Sequence, residues 1–221
     1  MFDYIVKDVM EVVGYLPIGI LCGILAVAIY LVCVWCAGRK RHLDIHLSDG
    51  SSEIDDNDVP AVTSAGTHIW NSMVWFLLGV YLAVMFVTVF LSREPGSRQG
   101  IDMTLFGTWG ETPQAHAFVI ENILLFVPFG ILYPLAVSTT DRKPDLRKKI
   151  GWEKFTVLWG FLISVGIETV QLITERGYCQ LDDVVMNTLG ALVGYVVFAS
   201  LKFWTGLVLS LIHISEPTRP Y

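Results

Sequence analysis

Apolar runs close to twenty residues long recur along the chain between short polar stretches, and a helix of roughly 20 residues crosses a hydrocarbon core about 30 Å thick. Five such runs predict five spans, at about Gly14–Ala37, Trp70–Leu91, Phe118–Val137, Phe155–Ile173 and Val184–Trp204. Pro17 and Gly19 fall early enough in the first to bend rather than break it. Pro128 and Pro134 predict a kink in the third, because each lacks the amide hydrogen that an unbroken helix uses. Trp70 and Trp75 sit at one end of the second, where amphipathic rings favour the water interface. The fold class is all-α, a polytopic transmembrane bundle of about five helices.

The polar stretches differ from one another. Residues Arg39 to His68 turn polar, with Ser48, Asp49, Gly50, Ser51, Ser52 and the run Asp55, Asp56, Asn57, Asp58, and are expected to form a flexible loop. Arg93 to His116 carries Leu105, Phe106 and Trp109, which are placed on the bilayer surface. Asp3, Asp8 and Glu11 precede a first apolar run longer than a signal-peptide core, so that run is read as a retained helix. Leu209 to Tyr221, LSLIHISEPTRPY, resembles the translated read-through of a transposase-type sequencing adaptor, and the native frame is expected to break near Val208. The chain thus divides into residues 1–69, a first helix with an acidic loop, residues 70–207, a four-helix membrane domain, and the tail at 209–221. Lys and Arg favour short cytoplasmic loops, and they concentrate after the first span (Arg39, Lys40, Arg41) and after the third (Arg142, Lys143, Arg147, Lys148, Lys149, Lys154). Both loops are assigned to the cytoplasm, which puts the N-terminus outside and the native C-terminus inside.

Composition narrows the function classes. Hydrophobic residues make up 53% of the chain and charged residues 16%, the balance of a bilayer protein. The formal charge of -6 comes largely from Asp44 to Asp58, and no basic stripe carries interleaved aromatics, so nucleic acid is not an expected partner. Membrane lipids are. Cys33 and Cys36 have a Cys-x-x-Cys spacing inside an apolar helix with no second pair, and read as small buried thiols. His42 and His46 lack the Glu of a zinc motif, and Asp55 to Asp58 lacks the spaced ligands of a calcium loop. No metal or cofactor is expected, and no phosphate-binding glycine loop or Gly-x-Ser-x-Gly elbow supports ATP-driven transport or serine hydrolysis.

The informative residues are polar and lie inside predicted spans. Ser164, Glu168, Gln171 and Glu175 are spaced by four, three and four, which predicts one helical stripe. An ionised carboxylate near a helix centre costs about 2.5 to 3.5 kcal/mol, so Glu168 requires protonation, a cation or donors from neighbouring helices. Arg176 is the nearest cation in sequence. In the fifth span Asp183, Asn187, Gly190 and Gly194 repeat the same spacing, with polar groups outermost and the Gly190 and Gly194 pair forming a close helix-packing face. With Asn122 and Asp182, these groups converge on the external leaflet. They suit a pocket for a lipid headgroup or envelope precursor, in which Glu168 and Asp183 accept hydrogen bonds, Arg176 pairs with phosphate or carboxylate, and Asn122, Gln171 and Asn187 orient them. The structural alternative is interhelical hydrogen bonding alone.

The segments NILLFVPFGILYPL from Asn122, SVGIETVQ from Ser164 and RGYCQLDDVVMNTLGALVGY from Arg176 resemble the signature of VanZ-like membrane proteins, over about Trp70 to Phe203. The family's recurrent polar positions fall on Asn122, Ser164, Glu168, Gln171, Arg176, Asp183 and Asn187. Where the family often has another acidic residue shortly after the arginine, this chain has Cys179 and Gln180. The resemblance implies work in the bacterial cell envelope, most often of Gram-positive bacteria, and glycopeptide resistance in the form of teicoplanin tolerance. Three roles follow: binding of a lipid-linked cell-wall precursor, an enzyme with Glu168 as general acid or base, or a membrane scaffold.

Overall fold

The structure is a computed structural model that describes residues 2–48, 65–96, 100–107, 110, 112–139 and 151–215. A short helix, α1 (Phe2–Gly14), is followed after Tyr15 by α2 (Leu16–Ser48), α3 (Ala65–Phe86), α4 (Pro113–Thr139), α5 (Thr156–Ile173) and α6 (Leu181–Ser215). Five segments are long and apolar enough to cross a membrane: Leu16–Cys36, Gly66–Leu91, Pro113–Ser138, Trp152–Ile173 and Leu181–Val208. The protein is therefore an all-α multi-pass bundle, as the apolar runs predict. Pro128 and Pro134 both lie inside α4, which continues through them.

The polar stretches are more helical than expected. α2 runs past the end of its apolar segment to Ser48, because RKRHLDIHLS contains neither glycine nor proline and several good helix formers. α3 begins at Ala65. Both ends of the loop expected over Arg39–His68 are thus helical, while its centre, with the Asp55–Asp58 run, lies outside the described residues, as do the side chains of His42 and His46. Residues 142–149 and Trp109 lie outside them too. Leu105 and Phe106 are exposed. α6 extends to Ser215, into the adaptor-like tail.

Small residues set the helix spacing. α4 and α6 form the most extensive interface. A Cβ on Gly190 would sit 2.1 Å from the carbonyl oxygen of Ile123, and one on Gly194 2.2 Å from that of Val127. From the opposite side, a Cβ on Gly130 would lie 2.3 Å from the Ala191 oxygen. Gly19, Gly23 and Gly79 bring α2 and α3 together in the same way, Gly79 sitting against Ala26 and Gly23. Phe126, Phe129, Ile167, Met85, Val89 and Ala191 fill the core between α3, α4, α5 and α6. At one end of the bundle Glu153 accepts hydrogen bonds from Lys202 Nζ at 2.7 Å and from Ser138 Oγ at 3.0 Å, tying α4, the turn before α5 and α6. The exposed large apolar side chains, among them Ile24, Leu31, Phe161 and Val196, coat the helices that lipid would contact.

These contacts predict that Gly190→Ala lowers stability by about 1 to 3 kcal/mol, the usual cost of overpacking against backbone that cannot move aside. Gly166→Ala, at a position where an added Cβ meets nothing within 4 Å, leaves it unchanged. Melting of the two purified variants in one neutral detergent checks both.

Candidate functional site

The helix of α5 stops at Ile173 although the spacing of the polar stripe runs on to Glu175, which takes a left-handed conformation at φ 57°. Ser164, Glu168 and Gln171 are buried on one face, whereas Glu175 turns away and is exposed. Its carbonyl accepts the Gly96 N–H at 2.9 Å, and the Cys179 N–H donates to Gly100 O at 3.0 Å. Two residues of each loop then pair in parallel, β1 (Ile101–Asp102) with β2 (Cys179–Gln180). Asp182, 3% exposed, accepts the N–H of Phe106 at 2.5 Å, which holds that residue in its own left-handed turn at φ 62°. Hydrogen bonds from the Thr104 amide and hydroxyl hold the Asp102 carboxyl below the usual carboxylate range. The loops after α3 and α5 are in this way one clasp at one end of the bundle.

The clasp depends on how α3 ends. Its last turn widens into a π-helix over Val87–Leu91, a geometry that displaces carbonyls from the regular ladder. Gln171 Nε2 donates to Val89 O at 3.2 Å. Arg176 Nη1 donates to Phe90 O and, at 3.1 Å, to Arg93 O. Arg176 Nη1 and Gln171 Nε2 therefore serve backbone carbonyls. On the neighbouring face Asn187 Nδ2 donates to Ser164 Oγ at 2.9 Å, both groups buried between α5 and α6. Asn122 Nδ2 donates to Asp183 Oδ1 at 2.7 Å, joining α4 to α6. Glu168, 3% exposed, takes the Gln180 N–H on Oε2 at 3.0 Å.

A cavity of about 470 Å³ opens beside this clasp, between α1, α3, α4 and α6. One part of its wall is apolar, with Ile5, Val9, Val12, Val84, Leu124 and Leu125. The other is polar, with Asp8, Arg93, Glu121, Asn122, Gln180 and Asp183. Of the residues singled out by sequence, Asn122 and Asp183 line it. Glu168 lies behind Gln180, while Ser164, Gln171, Arg176, Asp182 and Asn187 make the helix and loop ties around it.

The cation in the cavity wall is Arg93, whose charge interacts with both Glu168 and Asp183. Its Nη1 passes so near Gly177 that a Cβ there would lie 2.9 Å away, so the glycine leaves room for the guanidinium. In the sequence Arg93 reads only as the first charge of a loop. The available signal was its position two residues beyond an apolar run, where a long side chain folds back toward the polar groups at the same membrane depth. Asp8 and Glu121, which also line the cavity, stand outside both polar stripes of the sequence.

A family model, VanZ/LLP1, matches residues 73–203, which span α3 from its first turns to the apolar part of α6. The chain belongs to the VanZ/LLP1 family. Neither the comparison with curated proteins nor that with solved structures returned a match. Within the VanZ/LLP1 segment fall Arg93, Asn122, Asp183 and every backbone tie just described, whereas α1, with Asp8, precedes it.

Two predictions follow from this geometry. Arg176→Met strips donors from two carbonyls at the end of α3 and lowers stability by about 1 to 3 kcal/mol, whereas Arg93→Met, which leaves those carbonyls paired, lowers it less; detergent melting curves rank them. Burial, and then the Glu168 carboxylate, push the Cys179 thiol above its ordinary value. At pH 8 its thiolate is therefore scarcer than that of a free cysteine, and it accumulates as pH rises past the ordinary thiol range. Glu168→Gln removes the second cause, so maleimide labelling of Cys179 at pH 8, measured with Cys22, Cys33 and Cys36 replaced by serine, accelerates.

Proposed function

We propose that this VanZ-like protein binds a lipid-linked envelope precursor or lipid headgroup in the cavity beside the clasp, and that occupancy of this site lowers exposure of the envelope to glycopeptides such as teicoplanin. The observation that carries the reading is the two-sided wall: an apolar surface from α1, α3 and α4 meets Asn122, Asp183 and Arg93 at one end. Such a cavity falls in the range of about 300 to 1,000 Å³ that encloses small amphiphilic ligands, and a few placed polar groups fix their orientation. The basic residues at 39–41 and 142–154 lie at the opposite ends of the adjoining spans, so the positive-inside rule directs the cavity to the external leaflet, where precursors are exposed. Arg93 would pair with phosphate or carboxylate, and the Asp183 oxygen not held by Asn122 would accept from sugar or amide groups.

The reading is tested by teicoplanin susceptibility of a Gram-positive host expressing the full chain, with variants compared at matched membrane abundance. The parent and Gly166→Ala protect, and Asp183→Asn and Arg93→Gln fall to the level of the empty vector. Equal protection by parent and Asp183→Asn would sink the cavity as the site.

A further inference from the structure

The loop after α3 carries apolar side chains outward from the clasp. Ile101, Met103, Leu105 and Phe106 are each between 58% and 64% exposed. Along the chain they alternate with Asp102 and Thr104, which bond to each other. The polar side chains of the segment are thus satisfied within it, and the apolar ones are left facing out. Phe106 is the most constrained of the four. Its backbone is left-handed at φ 62°, a region that bulky side chains rarely adopt and glycine adopts freely. The buried carboxylate of Asp182 holds it there by accepting its N–H at 2.5 Å. A buried acid therefore fixes an exposed aromatic ring in a strained turn, and strain of this kind persists only where the surroundings impose it.

The depth of this segment follows from α6. Its apolar span, Leu181–Val208, has 28 residues and is about 42 Å long at a rise of about 1.5 Å per residue. A hydrocarbon core with both headgroup layers measures about 40 to 45 Å, so the ends of that span fall among the headgroups. β1 pairs with β2 immediately before Leu181, and the Asp182 tie to Phe106 lies in the first turn of α6. The four apolar side chains are held at that depth, continuous with the lipid-facing surface of the spans that end at exposed Leu91 and Ile173. Apolar and aromatic side chains on a polar segment favour the headgroup layer. We infer that Ile101–Phe106 is a membrane anchor, its apolar side chains seated among the lipid headgroups of the leaflet at this end of the bundle. The inference is independent of the binding function proposed above. It bears on that function through position, because Gln180 of β2 and the neighbouring Tyr178 both line the cavity, and the anchor keeps that wall at headgroup depth.

The test uses the full chain in phosphatidylcholine nanodiscs, with Cys22, Cys33, Cys36 and Cys179 replaced by serine. One new cysteine carries a nitrobenzoxadiazole fluorophore, at Met103→Cys or, for comparison, at Glu94→Cys, an exposed and charged position of the same loop. Iodide quenches the Met103→Cys label about threefold less than the Glu94→Cys label, and lipids with a nitroxide near the glycerol quench it more than lipids with one near the chain end. Phe106→Gly keeps the loop folded, since glycine suits the left-handed turn, and removes the ring; iodide quenching of the Met103→Cys label then rises about twofold. Equal iodide quenching at both positions would overturn the anchor and leave the segment in water. Protection from iodide without quenching by either lipid would overturn the lipid assignment in favour of a protein cover, such as a second copy of the chain. Stronger quenching from the chain end would overturn the headgroup depth, and no change in Phe106→Gly would overturn the anchoring role of that ring.

Discussion

Backbone carbonyls at the end of α3 are the constraint around which the rest of this bundle is arranged. In a bilayer a polar backbone group without a partner costs several kcal/mol, and the last carbonyls of any helix have no partner within it. Gln171 and Arg176 supply the missing donors from α5 and the turn after it. Because these donors come from two sides of a turn, α5 must stop where it does, and the left-handed Glu175 is the joint that lets Arg176 reach back. The β1–β2 pair and the Asp182 tie to Phe106 then close the loops on each other. Arg93 is carried on the segment that this network immobilises, so its place in the cavity wall is a consequence of backbone pairing elsewhere.

A second constraint acts deeper in the bundle. Without a hydrophobic drive between helices, association in lipid relies on close packing, and glycines at Gly130, Gly190 and Gly194 let α4 and α6 touch backbone to backbone. That approach brings Asn122 within 2.7 Å of Asp183 one or two turns further along. The polar ties are individually modest, since interhelical hydrogen bonds average well under about 2 kcal/mol. Their weight lies in register: a slide of one helix along the other would separate Asn122 from Asp183 and Asn187 from Ser164 at the same time.

The spans were legible because apolar length is set by the bilayer and needs no partner to be read. The helical extensions were not, since a polar segment without glycine or proline continues a helix for reasons of local propensity that an apolar pattern does not record; α2 passing Arg39 is the instance. Ser164, Glu168 and Gln171 could be placed on one face by their spacing, but Glu175 broke from it because the helix ends before it. Spacing within one helix also cannot assign a partner. Arg176 is the cation nearest Glu168 in sequence, yet its Nη1 serves backbone carbonyls, and Arg93, more than seventy residues earlier, is the cation that shares the cavity wall with Asp183. Asp8 was the least legible, since α1 reaches α4 only through the fold.

The acids of this end of the molecule, Asp182 and Glu168 buried, Asp183 and Glu121 partly so, are graded by how fully they are satisfied. Asp182 and Glu168 each receive a backbone N–H, a donor that no side-chain rotation can withdraw. Asp183, nearer the open space, is held by a side-chain amide. Glu121, in the wall itself, keeps an oxygen without a donor among the described groups. The backbone and side-chain ties behind the cavity hold the helices in register whatever the cavity contains.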